Sequence, residues 1–233
     1  MGSWEFVPTP TGWVAHLDAA ERAAVLDVVE DVTELLAADE PVGPWPQVQL
    51  SEGPVSAPAD PALRRLLPDA SRGVPEVAAE FRRLTEGELR STKAGQLGVL
   101  RSALAAGTPE VRVAPAHAPA VAAALTDLRL VLAERLGIRT EADADAAYRL
   151  VVEGGPLDVT DADGVARRFL ATVSTLLGVL QESLVSLMLE GLPVGAGPAA
   201  EGSTGEGSTG EVAEGSTGEV ADEGTGGPTD EGT

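Results

Sequence analysis

The run from Val165 to Leu192, VARRFLATVSTLLGVLQESLVSLMLEGL, constrains the fold more than any other stretch of the chain. Phe169, Val173, Leu176, Leu177, Leu180, Leu184, Leu187 and Met188 recur at steps of three and four, the spacing that sets side chains on one face of a helix. Leu170, Val179, Val185 and Leu189 widen that face. A helix apolar over most of its circumference needs other helices around it. The spacing therefore predicts a mainly α-helical domain, a bundle built around this central C-terminal helix.

The rest of the chain supplies those helices. Asp18 and Glu21 form a capping box for a helix from Asp18 to Ala38, with Leu17 at the staple position. Asp60-Pro61 starts a short helix ending near Leu67, and Pro75 opens another through Leu84. Thr85 with Glu88 reads as a second capping box, for a separate helix to about Leu104. Pro115 or Ala118 opens a helix to Leu136 that Gly137 closes. Thr140 caps a helix to about Val152, and Asp161 or Asp163 caps the C-terminal one.

A small antiparallel sheet is expected beside the bundle. Trp4, Phe6, Trp13 and Val14 flank the turn Pro8-Thr9-Pro10-Thr11-Gly12 as a hairpin, and Val111 with Val113 forms a third strand. Residues 40–59 hold five prolines and read as a long loop. After Gly195 the chain repeats Glu-Gly-Ser-Thr-Gly and has too few apolar side chains to offset the entropy of ordering. Two regions follow: a helical domain over 1–194 and a disordered acidic tail over 195–233.

Charge narrows the partners. The chain has 37 acidic and 16 basic residues, a formal net charge of −21. Such a surface repels nucleic-acid phosphates and anionic lipid, and favours basic partners. Nine of the acidic residues follow Pro198, where no basic residue occurs. Direct DNA binding is disfavoured for a second reason. Leu132 to Leu150 has the outline of a helix-turn-helix, but its second helix leads with Glu141, Asp143 and Asp145. An ordinary helical corner is the expected reading.

The chain has no cysteine, which excludes disulfides, thiolate metal sites and a thiol switch of its own. No apolar run of about 18 residues is uninterrupted, so no membrane span is expected. The N-terminus MGSWEFVPTP lacks the basic and apolar regions of a signal peptide, so a cytoplasmic location is expected.

Chemistry is sparse. No phosphate-binding glycine loop is present. His16 and His117 are isolated, and structural or surface roles are expected of both. Asp158 to Gly164 fails as a calcium loop, because aligning Gly164 places Val159 and Leu170 where carboxylates are required. Helix capping accounts for these aspartates. Glu182 with Gln181 interrupts the most apolar helix, and Asp127 with Arg129 interrupts the similarly apolar run Leu125–Leu136. A carboxylate in such a setting is a candidate acid or base, and equally one half of an ion pair. Asp127, Arg129, Gln181 and Glu182 are therefore the candidate polar network, with a structural role preferred and Glu182 expected to be buried against Arg129. No nucleophile–base pair is visible. No catalytic residue, metal ligand or cofactor is assigned.

Three blocks carry a resemblance. They are DPALRRLLPDASRGVPEVAAEFRRLTEGELRSTK (Asp60–Lys93), LTDLRLVLAERLGI (Leu125–Ile138) and LLGVLQESLVSLML (Leu176–Leu189). In this order, through their LLPD, DLRL and LQESLV cores, the chain over about residues 1–192 resembles an actinobacterial family long described as a domain of unknown function. That family is named after the oxidative-stress transcriptional regulator AosR, and its members are often encoded near the ClpS adaptor of the Clp protease. The resemblance implies stress-linked transcriptional regulation, through RNA polymerase or a sigma factor as protein partner. Its alternative implication is an accessory role in Clp proteolysis; an enzyme using Glu182 comes third. The chain departs from the family at Leu176, where members often have tryptophan, and at Thr126, where they often have asparagine. It also lacks the cysteines on which the family's redox role rests.

Overall fold

The computed structural model describes residues 4–38, 56–71, 73–105, 109–154 and 160–191. The acidic tail and most of the proline-rich loop lie outside the described residues. The chain divides into two units, Met1–Leu192 and Pro193–Thr233, and the described residues all fall in the first. The first holds strands β1 (Val7–Thr9), β2 (Gly12–His16) and β3 (Glu110–Val113), and helices α1 (Ala19–Ala37), α2 (Pro61–Leu66), α3 (Pro75–Ala105), α4 (Ala118–Leu136), α5 (Glu141–Val152) and α6 (Ala162–Glu190). A mainly α bundle with a small antiparallel sheet is thus the observed fold.

Local chemistry explains most of the boundaries. The capping box at α1 is complete: Glu21 N donates to Asp18 Oδ1 and Asp18 N to Glu21 Oε2, both at 2.8 Å. Thr140 and Asp143 form the same box at α5. Asp161 caps α6 by accepting from Gly164 N at 2.9 Å. Gly137, at φ 72°, ends α4 in the left-handed conformation that glycine adopts without a Cβ penalty. The Thr85 box does not form. Pro75–Ala105 is one helix of 31 residues, and Thr85 Oγ1 instead donates to the carbonyl of Phe81 at 2.9 Å. The Thr-x-x-Glu pattern fits a helix interior as well as a start, and nothing between Leu84 and Thr85 interrupts the backbone ladder.

The sheet has the order β1-β2-β3, antiparallel throughout. Val7 pairs with Val14, and Trp13 with Val113. Gly12, at φ 137°, lies so close to β3 that a Cβ there would stand 2.5 Å from the Val113 carbonyl oxygen. Two bonds tie the sheet to the helices. Trp4 Nε1 donates to Glu21 Oε1 at 2.8 Å, and Phe6 N to Ser183 Oγ of α6 at 2.9 Å.

The axis of the bundle is the α4–α6 pair. Val121, Ala124, Leu125, Leu128, Val131 and Leu132 of α4 are buried, and α2, α3 and α6 all pack on that helix. α6 contributes Val173, Leu176, Leu177, Leu180 and Leu184. Its apolar stripe is wider than the face its neighbours cover: Phe169, Val185 and Leu189 are exposed. Pro115–Leu136 and Ala162–Glu190 are each long and apolar enough, by length and composition alone, to cross a membrane. Here they pack against each other as the core.

Candidate functional site

The four residues of the candidate network do not form one cluster. Asp127 and Arg129 are two positions apart on α4, about 200° around the helix, so they face different neighbours. Asp127 turns to α3. It is 3% exposed, and Oδ1 accepts from Lys93 Nζ at 2.6 Å. Arg129 and Thr126, three apart, share the side toward α6. There Arg129 Nη1 donates to Gln181 Oε1 at 2.5 Å, while Gln181 Nε2 donates to Thr126 Oγ1 at 2.6 Å. Both ends of the Gln181 amide are used, and the Thr126 hydroxyl in turn donates to the carbonyl of Ala122.

Glu182 joins neither group. Its side chain is exposed, and among the described residues it makes no ion pair. The expectation that it is buried against Arg129 is corrected: Glu182 faces solvent, and Arg129 is held by Gln181. Leu180 and Leu184 define the covered face of α6. Glu182 lies two residues from each and so points about 200° away from both. Gln181, one position nearer the core face, takes Arg129 instead. Glu182→Ala is accordingly expected to change stability by less than about 0.5 kcal/mol, and Gln181→Ala to cost about 1 kcal/mol. Thermal unfolding of the two variants measures this, and the reverse order of effects would refute the assignment.

Lys93 is the residue that sequence reasoning missed. It is the only lysine in the chain, against fifteen arginines. It sits at a core-facing phase of α3, between the buried residues Arg90 and Leu97. A lone lysine in an apolar phase is the signal that would have marked it. Its partner is 34 residues away, which no local pattern encodes.

The other buried charges behave in the same way. Arg82, at the start of α3, donates to Asp69 at 3.0 Å. Arg90 reaches across to the Leu36 carbonyl at the end of α1 and binds Glu86 through two nitrogens, placing a cation where the α1 dipole is negative. Arg22 donates to the Leu17 carbonyl at 3.3 Å. Asp69, Asp127 and Gln181 belong to the LLPD, DLRL and LQESLV blocks. Asp127 and Gln181 hold one helix to another, and Asp69 holds the connection after α2 to α3, so these three residues tie the fold while Glu182 does not. Asp127 Oδ2 and Glu86 Oε2 are buried without a partner, the residual cost of those ties.

A second cluster sits where α2 packs on the C-terminal end of α4, just before the turn into α5. Arg135 donates to Asp60 at 2.7 Å. Glu134 accepts from Arg65 at 3.0 Å and from Arg139 at 2.6 Å. Arg135 holds the Asp60 carboxyl below its ordinary value. Burial opposes ionisation of Glu134, but Arg65 and Arg139 outweigh it and also hold that carboxyl low. The backbone N–H of Arg139 and the Thr140 hydroxyl and N–H do the same for Asp143. Depressed folded values mean that stability is fully present above the unfolded values, 3.8 for Asp and 4.5 for Glu. It is lost as pH falls through the lower folded values. Urea midpoints are therefore expected to be flat from neutral pH to about 5 and to fall below about 4. A flat profile down to pH 3 would show that these pairs contribute nothing.

The same cluster includes the corner that has the outline of a helix-turn-helix. Arg139 is bound to Glu134, and Glu141 and Asp145 at the start of α5 are exposed. The corner presents carboxylates, which phosphates repel.

A groove of about 410 Å³ opens between α3, β3 and the start of α4. Val99, Val113 and Val121 line it, Ser102, Arg112 and His117 stand around it, and Gly98 leaves it open along α3. Arg112 is paired with Glu110. Among the described residues no three His, Asp or Glu side chains gather closely enough to hold a metal ion. His16 lies 3.7 Å from Glu110 on the sheet, and His117 is exposed.

No curated protein matches the chain, and no solved structure matches it. The model of a family described as a domain of unknown function, DUF2017, matches residues 1–188. That match covers the sheet and all six helices but for the last two residues of α6, and so includes every tie described above: the chain belongs to the DUF2017 family.

Proposed function

We propose that this protein is a non-enzymatic cytoplasmic regulator that acts in stress-linked transcription through protein contacts, with RNA polymerase or a sigma factor as its partner. The observation that supports the contact is the outer face of α1. Asp27, Glu30, Asp31 and Glu34 are spaced three and four apart, and all are exposed. Among the described residues only Glu30 pairs with a basic side chain, Arg101 at 3.7 Å. A row of uncompensated carboxylates on a rigid helix suits a basic protein surface, and the DNA-facing surfaces of polymerase and sigma factors are basic. The resemblance carried by the LLPD, DLRL and LQESLV blocks supplies the transcriptional and stress context, as well as the actinobacterial one. With no cysteine, this chain's regulation would run through the contact itself and not through a thiol.

The test is capture of purified RNA polymerase, with and without sigma factors, on the immobilised full chain over a salt series. Capture is expected, weakening as salt rises. A chain carrying Asp27→Lys, Asp31→Lys and Glu34→Lys is expected to bind about tenfold more weakly, the equivalent of about 1.4 kcal/mol. Equal capture by parent and variant would remove the α1 contact. Stress transcripts unchanged on deletion, with altered turnover of Clp substrates, would make the protein an accessory factor of Clp proteolysis instead.

A further inference from the structure

α3 has a face that the fold leaves uncovered. Val74, Val77, Phe81 and Leu84 are 47%, 54%, 43% and 61% exposed, at steps of three and four. The same steps continue along the helix through Glu88 to Ser91, Gly95, Gly98 and Ser102, all exposed. This is the repeat of positions a and d in a helix that packs against another helix. The opposite face carries the buried residues Ala78, Arg82, Arg90, Leu97, Leu100 and Leu104. One half of the uncovered stripe therefore consists of large apolar side chains, and the other half of small ones.

The glycines in the second half have no neighbour among the described residues that requires them. A Cβ at Gly95 or Gly98 would meet nothing within 4 Å. Alanine would fit and would favour the helix. Glycine on an exposed helix face is explained when another backbone or a large side chain comes close.

We propose that the uncovered face of α3 binds a second copy of this chain, with the two α3 helices antiparallel across a two-fold axis. The two halves of the stripe are complementary in size when one helix is reversed on the other. In the register that sets Phe81 over Gly98 of the partner subunit, Leu84 falls over the partner's Gly95 and Val77 over the partner's Ser102. Glu88 then meets the partner's Ser91, whose hydroxyl donates to it, while the two Glu88 carboxylates lie in adjacent layers across the two-fold. The same register places Glu80 against the partner's Arg101. Both side chains are about three-fifths exposed, and each is held only by its own surface pair, Arg83 for Glu80 and Glu30 for Arg101. Phe81 also finds room, because the groove of about 410 Å³ opens beside Gly98. The two-fold repeats every contact, as an isologous dimer requires. Size and charge complementarity between two halves of one helix single out a second copy as the occupant. The surface is separate from the acidic face of α1 and does not depend on the function proposed above.

Light scattering and sedimentation of the full chain over a dilution series test this. A reversible dimer is expected. Phe81→Glu and Gly98→Leu should each raise the dimer dissociation constant at least about tenfold, a change of about 1.4 kcal/mol. Circular dichroism at monomeric concentrations should show both variants folded, with thermal unfolding unchanged in Phe81→Glu, an exposed position, and no lower in Gly98→Leu, where leucine favours the helix over glycine. Because the chain has no cysteine, pairing can be read directly. A Phe81→Cys chain mixed with a Gly98→Cys chain should form a disulfide-linked heterodimer under mild oxidation, and a Leu189→Cys chain should not replace the latter. A monomer at every concentration overturns the proposal. So does a dimer that neither variant weakens and that gives no Phe81→Cys to Gly98→Cys link. A monomer whose capture of polymerase is lost in Phe81→Glu would assign the stripe to a different protein, and overturns it too.

Discussion

Leu128→Ala is expected to destabilise the fold by about 3 kcal/mol, within the range of about 2–5 kcal/mol for truncating a fully buried leucine. Leu128 is 0% exposed. It stands on α4, against which α2, α3 and α6 all pack. A cavity there is walled by several elements, none of which can close it without giving up contacts elsewhere. For a domain of this size the loss corresponds to a fall of about 6–12 °C in Tm. The control is Leu189→Ala on α6, a residue of the same type that is 61% exposed. Its effect should stay within about 0.5 kcal/mol. Chemical and thermal unfolding of both variants checks the pair. Similar losses at the two positions would contradict the covered and uncovered faces assigned here to α4 and α6.

Asp127→Ala is the second large effect, about 3 kcal/mol. The substitution leaves the Lys93 ammonium beside a newly apolar site, with its side chain only 16% exposed. Most of the loss is therefore the desolvation of an unpaired charge and not the attraction itself. Replacing both partners, as Lys93→Met with Asp127→Leu, should recover most of the stability. A double-mutant cycle in urea separates these contributions. If Asp127→Ala costs less than about 0.5 kcal/mol, the pair is no better than a surface ion pair and its role as a tie is lost. If the double variant is as unstable as Asp127→Ala, shape and not charge holds α3 to α4.

These two residues are neighbours in the DLRL block, and they explain why such a block is recognisable. Leu128 fills the crossing and Asp127 fixes its orientation. Gln181 does the corresponding work from α6 by holding Arg129 and Thr126 together. Thr126 accepts the Gln181 amide with its hydroxyl.

Helix positions and caps were readable because the forces behind them are local. Asp18 and Glu21, Thr140 and Asp143, and Gly137 each act within a single turn, and their residue types suffice. The 3.6-residue period of α1, α4 and α6 is likewise written in consecutive side chains. Thr85 marks the boundary of that logic. A capping box and a helix interior share the same four residues there, and only the continuing backbone of α3 chose between them.

The ties and the surfaces were not readable in the same way. Lys93 meets Asp127 across 34 positions and Arg129 meets Gln181 across 52. Which of Gln181 and Glu182 faces α4 depends on a rotation of α6 that Leu180 and Leu184 set by packing. The amphipathic period alone marks an apolar stripe without saying how much of it a neighbour covers. Sequence by itself determined that this chain forms capped helices around a helical core with a hairpin at one side, because propensity, capping and periodicity act over a few residues. Only the tertiary structure decided that Glu182 is a surface carboxylate, that Asp127 belongs to Lys93, and that α3 keeps a large-and-small stripe open, because those outcomes depend on which faces meet when distant elements pack.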